Sequence, residues 1–178
     1  MRIINNKIKS ELNLRVENNY PVEGVNFIDI TPLIMDAKIF NKIISSFTNE
    51  LKGKNIDYIV APEARGFLFA SAVASRLKTG IIPVRKLGKL PPSYVEAKFN
   101  YEKEYGKDIL ELPKLVNDNY KNKNFYIIDD IYATGNTINS IKNQIIKLGG
   151  KVIGVGAIIN IVELNDSKEL YSLIDINE

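Results

Sequence analysis

FYIIDDIYATGNT, residues 125–137, holds the end of a strand, a loop and the start of a helix. The hydrophobic run Phe125 to Ile128 predicts a buried strand that delivers Asp129 and Asp130 to its C-terminal end, where open parallel sheets bind ligands. Ala133, Thr134, Gly135, Asn136 and Thr137 then open a helix. Small residues let backbone N–H groups approach a phosphate, two threonine hydroxyls add donors, and the helix N-terminus adds a favourable dipole. Carboxylates only accept, so the two acids suit the hydroxyls of a sugar attached to that phosphate, directly or through the water shell of a magnesium ion. Acceptors for a diol beside donors for a phosphate describe a ribose 5-phosphate site. The plainer alternative is a strand end with two solvated acids and an ordinary helix cap. The stretch lacks the Gly-Lys-Ser/Thr of a P-loop, and Gly154-Val-Gly156 lacks the third glycine of a dinucleotide fingerprint.

Outward from this stretch, strands and helices alternate. Ile3, Ile4, Ile8, Leu12 and Leu14 have loosely helical spacing and predict an N-terminal helix within residues 2–18, followed by the turn-rich 18–21. VNFIDITP after Gly24 predicts a short strand closed by Pro32. Asp36 is the expected N-cap of a helix whose apolar face runs from Ile39 to Leu51 and which ends at Gly53. Strands are expected at 57–62 and 81–84 around an apolar helix at 66–77. From Arg85 to Gly106 the pattern dissolves into a loop with five Lys or Arg, which predicts a lid. Asp108 to Leu112, a helix at 137–148 and a strand at 152–162 complete the series. The strands are continuous apolar runs, as in a parallel sheet buried on both faces. The expected fold is therefore α/β, one domain over 1–178. It has a central mostly parallel sheet flanked by helices, a small N-terminal hood at about 1–35, a core at about 36–178 and a mobile lid at roughly 86–106.

Composition narrows the chemistry. The chain has 178 residues, 45% hydrophobic and 25% charged, with 24 basic against 21 acidic side chains. That is the make-up of a globular protein, and a formal charge of +3 gives no ground for a nucleic-acid or membrane surface. Cysteine and histidine are both absent. Disulfides, thiolate nucleophiles, imidazole bases and Cys or His zinc sites are excluded, and with them the serine-histidine and cysteine-histidine hydrolases. Catalysis must use carboxylates, Lys, Tyr, backbone dipoles or a hard metal held through oxygen. The N-terminal MRIINNKIKSELN has no apolar core or cleavage site of a signal peptide, so a cytoplasmic protein is expected.

The thirteen-residue stretch resembles the phosphoribosyl-pyrophosphate motif of type I phosphoribosyltransferases: hydrophobic run, two acids, two variable residues, then A-T-G-x-T. Three further segments resemble the adenine branch of that family: FIDITPL at 27–33, EARGF at 63–67, and VRKLGKLP at 84–91 followed by EYGKDILEL at 104–112. Their order and spacing cover roughly residues 20–165.

The resemblance implies that Asp129 and Asp130 hold the ribose hydroxyls, that Ala133, Thr134, Gly135, Asn136 and Thr137 cradle the 5-phosphate, and that Arg65 holds pyrophosphate. It implies that Lys86 and Lys89 cover the pyrophosphate from the lid, and that Arg85 reaches the neighbouring subunit's site, hence a homodimer. Magnesium is implied as an ion bound mainly through the pyrophosphate and ribose hydroxyls, with no dedicated protein metal site. Glu104 is implied as the acid/base toward the purine and Tyr105 as the cap over the reacting centre. Phe27 would pack on the base and Ile131 would form its apolar floor. Physics supports a basic cluster against pyrophosphate, and without histidine a carboxyl is the natural proton carrier. Phe27 as plain core, Lys89 as a solvated lysine and Glu104 as one surface acid among Glu96, Glu102 and Asp108 are the alternatives.

The chain departs from the family's pattern at several positions. Ile28 stands just before Asp29 where the family has an arginine, with Asn26 before Phe27. Pro92 replaces a glycine, Asn160 stands where a glutamate is common, and Asn136 replaces the second glycine of A-T-G-G-T. The lid is about two residues longer than the family's usual spacing. The expected function is transfer of the 5-phosphoribosyl group from 5-phosphoribosyl-1-pyrophosphate to adenine, giving AMP and pyrophosphate. The alternatives are the same reaction on hypoxanthine, xanthine or guanine, and a non-catalytic sensor of the donor or a nucleotide.

Overall fold

The chain folds around a run of five parallel strands. A computed structural model describes residues 2–7, 14–20, 22–103, 106–167 and 169–177. In chain order the elements are β1 (Arg2–Asn6), β2 (Arg15–Asn18), β3 (Asn26–Asp29), α1 (Thr31–Met35), α2 (Ala37–Leu51), β4 (Tyr58–Pro62), α3 (Arg65–Leu77) and β5 (Gly80–Lys86). The 3-10 turn Pro92–Tyr94, β6 (Val95–Lys103), β7 (Gly106–Pro113), β8 (Asn124–Tyr132), α4 (Asn136–Lys147), β9 (Lys151–Ile161), the 3-10 turn Val162–Leu164 and β10 (Leu170–Asn177) follow. The main sheet has the order β1-β10-β9-β8-β4-β5-β7-β6, and β2 and β3 form a separate pair. From β10 through β5 every neighbour is parallel. β1 and the β7–β6 hairpin add antiparallel edges. This is the expected α/β architecture.

Both faces of the parallel strands are buried, which explains their unbroken apolar sequences. Tyr126 and Ile128 of β8 point into one layer with Phe47, Phe69, Ile43 and Ile44 of α2 and α3. Phe125 and Ile127, the alternate positions, point into a second layer with Ile141 and Ile145 of α4 and Leu110 and Leu112 of β7. Gly154 and Gly156 serve this packing: a Cβ at Gly154 would collide with the Tyr126 ring, and one at Gly156 with the Phe47 ring. As expected, Asp36 caps α2, its carboxylate accepting from the amides of Lys38 at 2.8 Å and Ile39 at 3.0 Å, a cap worth about 1 kcal/mol.

Two expectations are corrected. The helix predicted within residues 2–18 is replaced by strands: β1 pairs with β10 and β2 with β3, while 8–13 fall outside the described residues. The open edge of β10 offers a full backbone ladder, and that pairing outweighs a loose helical spacing of β-branched isoleucines. The patternless lid is also more regular than expected, since β6 pairs with β7 from Val95↔Pro113 to Lys103↔Gly106.

Candidate active site

The C-terminal ends of β4, β5, β8 and β9 lie side by side, and the β2–β3 hood leans over them. Between hood and strand ends is an open cleft of about 450 Å³. Hood residues 24–28 line one side and Ile161 and Leu164 close another, with Arg65, Ile131, Ala133 and Thr134 completing the lining. Phe27 and Ile131, the two expected base contacts, are therefore in one cavity with the first residues of the phosphate loop. Ile28, at the position of the family's arginine, serves the site through its backbone. Its side chain is buried at 4% exposure, and its carbonyl accepts from Arg65 Nη1 at 3.2 Å.

Arg65 is the hub of the site. Its Nε lies 2.7 Å from Asp130 Oδ2, and its guanidinium sits 5.2 Å over the Phe27 ring, a cation–π contact. The ring of Tyr20 meets Phe27 edge-on at 5.3 Å. One arginine thus touches the residues expected to hold base and ribose. The peptide between Glu63 and Ala64 just before it is cis.

The two acids belong to β8 itself, which runs on through them to Tyr132. Asp130 is buried at 5% exposure and takes the arginine. Asp129 accepts from the Asp130 amide at 2.8 Å. Burial first, then the adjacent Asp130 carboxylate, pushes its carboxyl well above the usual carboxylate range, with Arg65 opposing. Gly66, at the start of α3, lets that helix approach: a Cβ there would stand 3.0 Å from Asp129 Oδ1 and 3.2 Å from the Ile128 carbonyl.

The loop expected to cradle a phosphate makes a left-handed turn into α4 at Gly135. Gly135 takes φ +78, and a Cβ on it would collide with the Tyr132 hydroxyl, so the left-handed turn and the space both require glycine. Asn136 is the first residue of α4. Its replacement of a glycine therefore meets no backbone demand. Thr137 is in the same first turn, and the unbonded amides there face the loop.

The basic residues expected of the lid, Arg85, Lys86 and Lys89, lie outside the lining of this cleft. Arg85 Nε pairs at 2.9 Å with Glu63 Oε2, which also accepts from the Lys86 amide at 2.9 Å. Burial works against ionising Glu63, but the Lys86 amide and the Arg85 guanidinium outweigh it and hold its carboxyl below the ordinary range. Lys86 and Lys89 are exposed. Sequence reading gave no role to Glu63, though it stands inside the quoted EARGF, nor to Glu111. Glu111 is buried at 1% exposure, where it accepts from the amides of Gly88 at 3.1 Å and Leu90 at 3.4 Å and pairs with Lys98 of β6 at 3.0 Å. An acid among apolar Ile109, Leu110 and Leu112 was the available signal. Glu104 and Tyr105 lie outside the described residues.

Comparison with known proteins agrees with this geometry. Residues 34–173 match the phosphoribosyl transferase domain family. The chain is 44% identical over 157 residues to an adenine phosphoribosyltransferase of Clostridium acetobutylicum, covering 88% of this chain and 89% of that protein. It is 40% identical over 157 residues to one of Methanococcus maripaludis, with 88% and 89% coverage. Among solved structures it is similar to adenine phosphoribosyltransferase from Thermoanaerobacter pseudethanolicus, with a TM-score of 0.83, 39% identity and coverage of 92% of this chain and 95% of that one. It is also similar to the Saccharomyces cerevisiae enzyme complexed with an imino-altritol bisphosphate and adenine, with a TM-score of 0.76, 36% identity and coverage of 85% and 86%. With a family match over most of its length and relatives at 40 to 44% identity on the same fold, the chain belongs to the phosphoribosyltransferase family.

Proposed function

We propose that this protein is an adenine phosphoribosyltransferase, forming AMP and pyrophosphate from adenine and 5-phosphoribosyl-1-pyrophosphate in purine salvage. The observation that carries the proposal is one cleft in which the Phe27 ring, Arg65 and the start of the phosphate loop meet. Relatives at 40 to 44% identity named for this activity support it.

In the reaction the bond from ribose C1 to pyrophosphate breaks, a bond from C1 to the purine nitrogen forms, and the purine's proton leaves. The transition state is oxocarbenium-like, so protein groups chiefly position the partners and stabilise separating charge. Ala133 to Thr137 cradle the 5-phosphate with backbone amides and the two threonine hydroxyls. Asp129 and Asp130 accept from the ribose hydroxyls. Arg65 exchanges Asp130 for pyrophosphate, with Lys86 and Lys89 adding charge from the lid. Glu104 takes the proton, and Tyr105 covers the centre.

Magnesium belongs to the same proposal, as counter-charge to the pyrophosphate. Asp129 and Asp130 offer the hard oxygens it prefers, and the substrate's own oxygens supply most of its ligands. The enzyme is proposed to act in the cytoplasm as a homodimer in which Arg85 serves the neighbouring site, which requires it to leave Glu63.

Transfer to a 6-oxo purine is a second reading with one observation in its favour. Asn26 lines the cleft, and its amide can donate and accept, which could favour such a base by about 1–3 kcal/mol. Competition between adenine and hypoxanthine for limiting donor tests the choice, with adenine expected to have the higher kcat/KM. A higher value for hypoxanthine, xanthine or guanine reassigns the base and leaves phosphoribosyl transfer standing. Donor binding without turnover on any purine points instead to a sensor.

A further inference from the structure

Asn160 and the residues around it form a hydrogen-bonded chain that the reaction above does not use. Asn165 follows the 3-10 turn that leaves β9. Its side-chain nitrogen lies 2.9 Å from the Ala133 carbonyl, 2.9 Å from the Ile161 carbonyl and 3.0 Å from Asn160 Oδ1. Its own oxygen accepts from the Ser167 amide at 3.1 Å, which fixes the direction of the amide. Asn160 passes the chain on by donating to Asp175 Oδ1 at 3.2 Å. Asp175 also accepts from the Ser172 hydroxyl and, at 3.1 Å, from Asn5 of β1. The chain therefore ties the end of β8 to β9, β10 and β1.

What Asn165 joins gives the chain its meaning. Ala133 opens the phosphate loop and lines the cleft, whereas Ile161 and Leu164 line the wall beside the hood. A nucleotide must touch both, with its phosphate at the loop and its base between hood and wall. We propose that Asn165 is a positioning residue that sets the spacing between the phosphate loop and the base wall, held in place by Asn160 and Asp175. It touches no substrate. The inference rests on the phosphoribosyltransferase reading of the cleft and adds the part that makes its two halves fit one molecule.

The chemistry requires an amide. Three oxygens converge on the Asn165 nitrogen, and only a donor is attractive to them. Asn165→Asp keeps the size and the acceptor for Ser167 but removes that donor. Ligands that use one half of the site should notice little, and a ligand that spans both should notice most. Titration calorimetry on the full chain reads this with AMP, ribose 5-phosphate and adenine as probes. The variant is expected to lose about tenfold or more in AMP affinity, since small errors of position in a bipartite site are costly. Ribose 5-phosphate and adenine should each lose less than about threefold. AMP affinity that is unchanged, or that falls only as far as ribose 5-phosphate affinity, overturns the inference. Should Asn165→Asp fail to give a cooperative melt, Asn160→Ala cuts the next link and is judged by the same comparison. A wild-type chain that binds neither AMP nor ribose 5-phosphate overturns the phosphoribosyl reading itself, and this inference with it.

Discussion

Replacing Asp129 by asparagine separates the acid's charge from its shape. The bond from the Asp130 amide to Asp129 Oδ1, 2.8 Å, is one an asparagine oxygen also accepts, so the change removes a negative charge and little else. Burial makes the Asp129 charge costly and the adjacent Asp130 carboxylate repels it, like charges a few ångströms apart being worth a few kcal/mol at an effective dielectric of about 20. Arg65, 2.7 Å from Asp130, offsets part of this and leaves a net penalty of about 1–2 kcal/mol. Burial and Asp130 raise the carboxyl of Asp129 in the folded chain, so the folded state binds that proton more tightly than the unfolded state. Stability then falls as pH rises from the unfolded value of about 3.9 through the raised folded one. Asp129→Asn is expected to be more stable than the parent at pH 7, with Tm higher by about 3–6 °C in a chain of this size. The gain should shrink with acidification and vanish below about pH 3.9. Thermal melts across this pH range check it, with turnover at pH 7 expected to fall about tenfold or more because a ribose contact is weakened. A variant less stable at pH 7, or equally stabilised in acid, refutes the repulsion argument, and undiminished turnover refutes the ribose assignment.

Glu63→Gln should act in the opposite sense. The carboxyl of Glu63 is held low, so its bonds stabilise fully above the unfolded value of about 4.3 and are lost as pH falls through the depressed one. The variant is expected to melt about 2–4 °C lower at neutral pH, with the gap closing in acid. Gly135→Ala meets both the φ of +78 and the Tyr132 hydroxyl. It should cost about 2 kcal/mol in denaturant unfolding and raise KM for the donor more than KM for adenine. Glu104→Gln should lower kcat by about a hundredfold with donor affinity nearly unchanged in equilibrium titration, because it removes the proposed proton carrier. Equal loss of affinity with kcat intact would make Glu104 a binding residue only.

The parts of the fold legible in sequence were those written by local rules. Asp36 announced α2 because a capping carboxylate needs only the amides two and three residues further on. The apolar runs of β4, β8 and β9 announced buried parallel strands because both of their faces meet core. The N-terminal segment was misread because its structure is decided by a distant partner, β10, which the sequence reading did not pick out despite Leu173, Ile174 and Ile176. The lid hairpin did carry a signal. Val95, Ala97, Phe99 and Tyr101 alternate with Glu96, Lys98 and Asn100, a period of two that the basic residues and adjacent prolines obscured. In the site, the loop and paired acids were visible as a contiguous motif. The ties from Glu63 to Arg85 and from Asn165 to Ala133 were not, since each joins residues more than twenty positions apart.

Gly66 bears on how this protein can vary. Its backbone is ordinary helix with no positive φ, so conformation alone would admit alanine there, a better helix former. The obstacle is the strand in front of it: a methyl group would press on the Asp129 carboxylate and the Ile128 carbonyl. Giving way means sliding the first turn of α3 outward, and Arg65 travels with that turn, away from Asp130. The absent side chain acts as a gauge for the distance between a cation and an anion on different elements. In a saturation library scored for growth on salvaged purine, position 66 should tolerate glycine alone, while Ala70 and Ala74, one and two turns along the same helix, should accept some exchange for small residues.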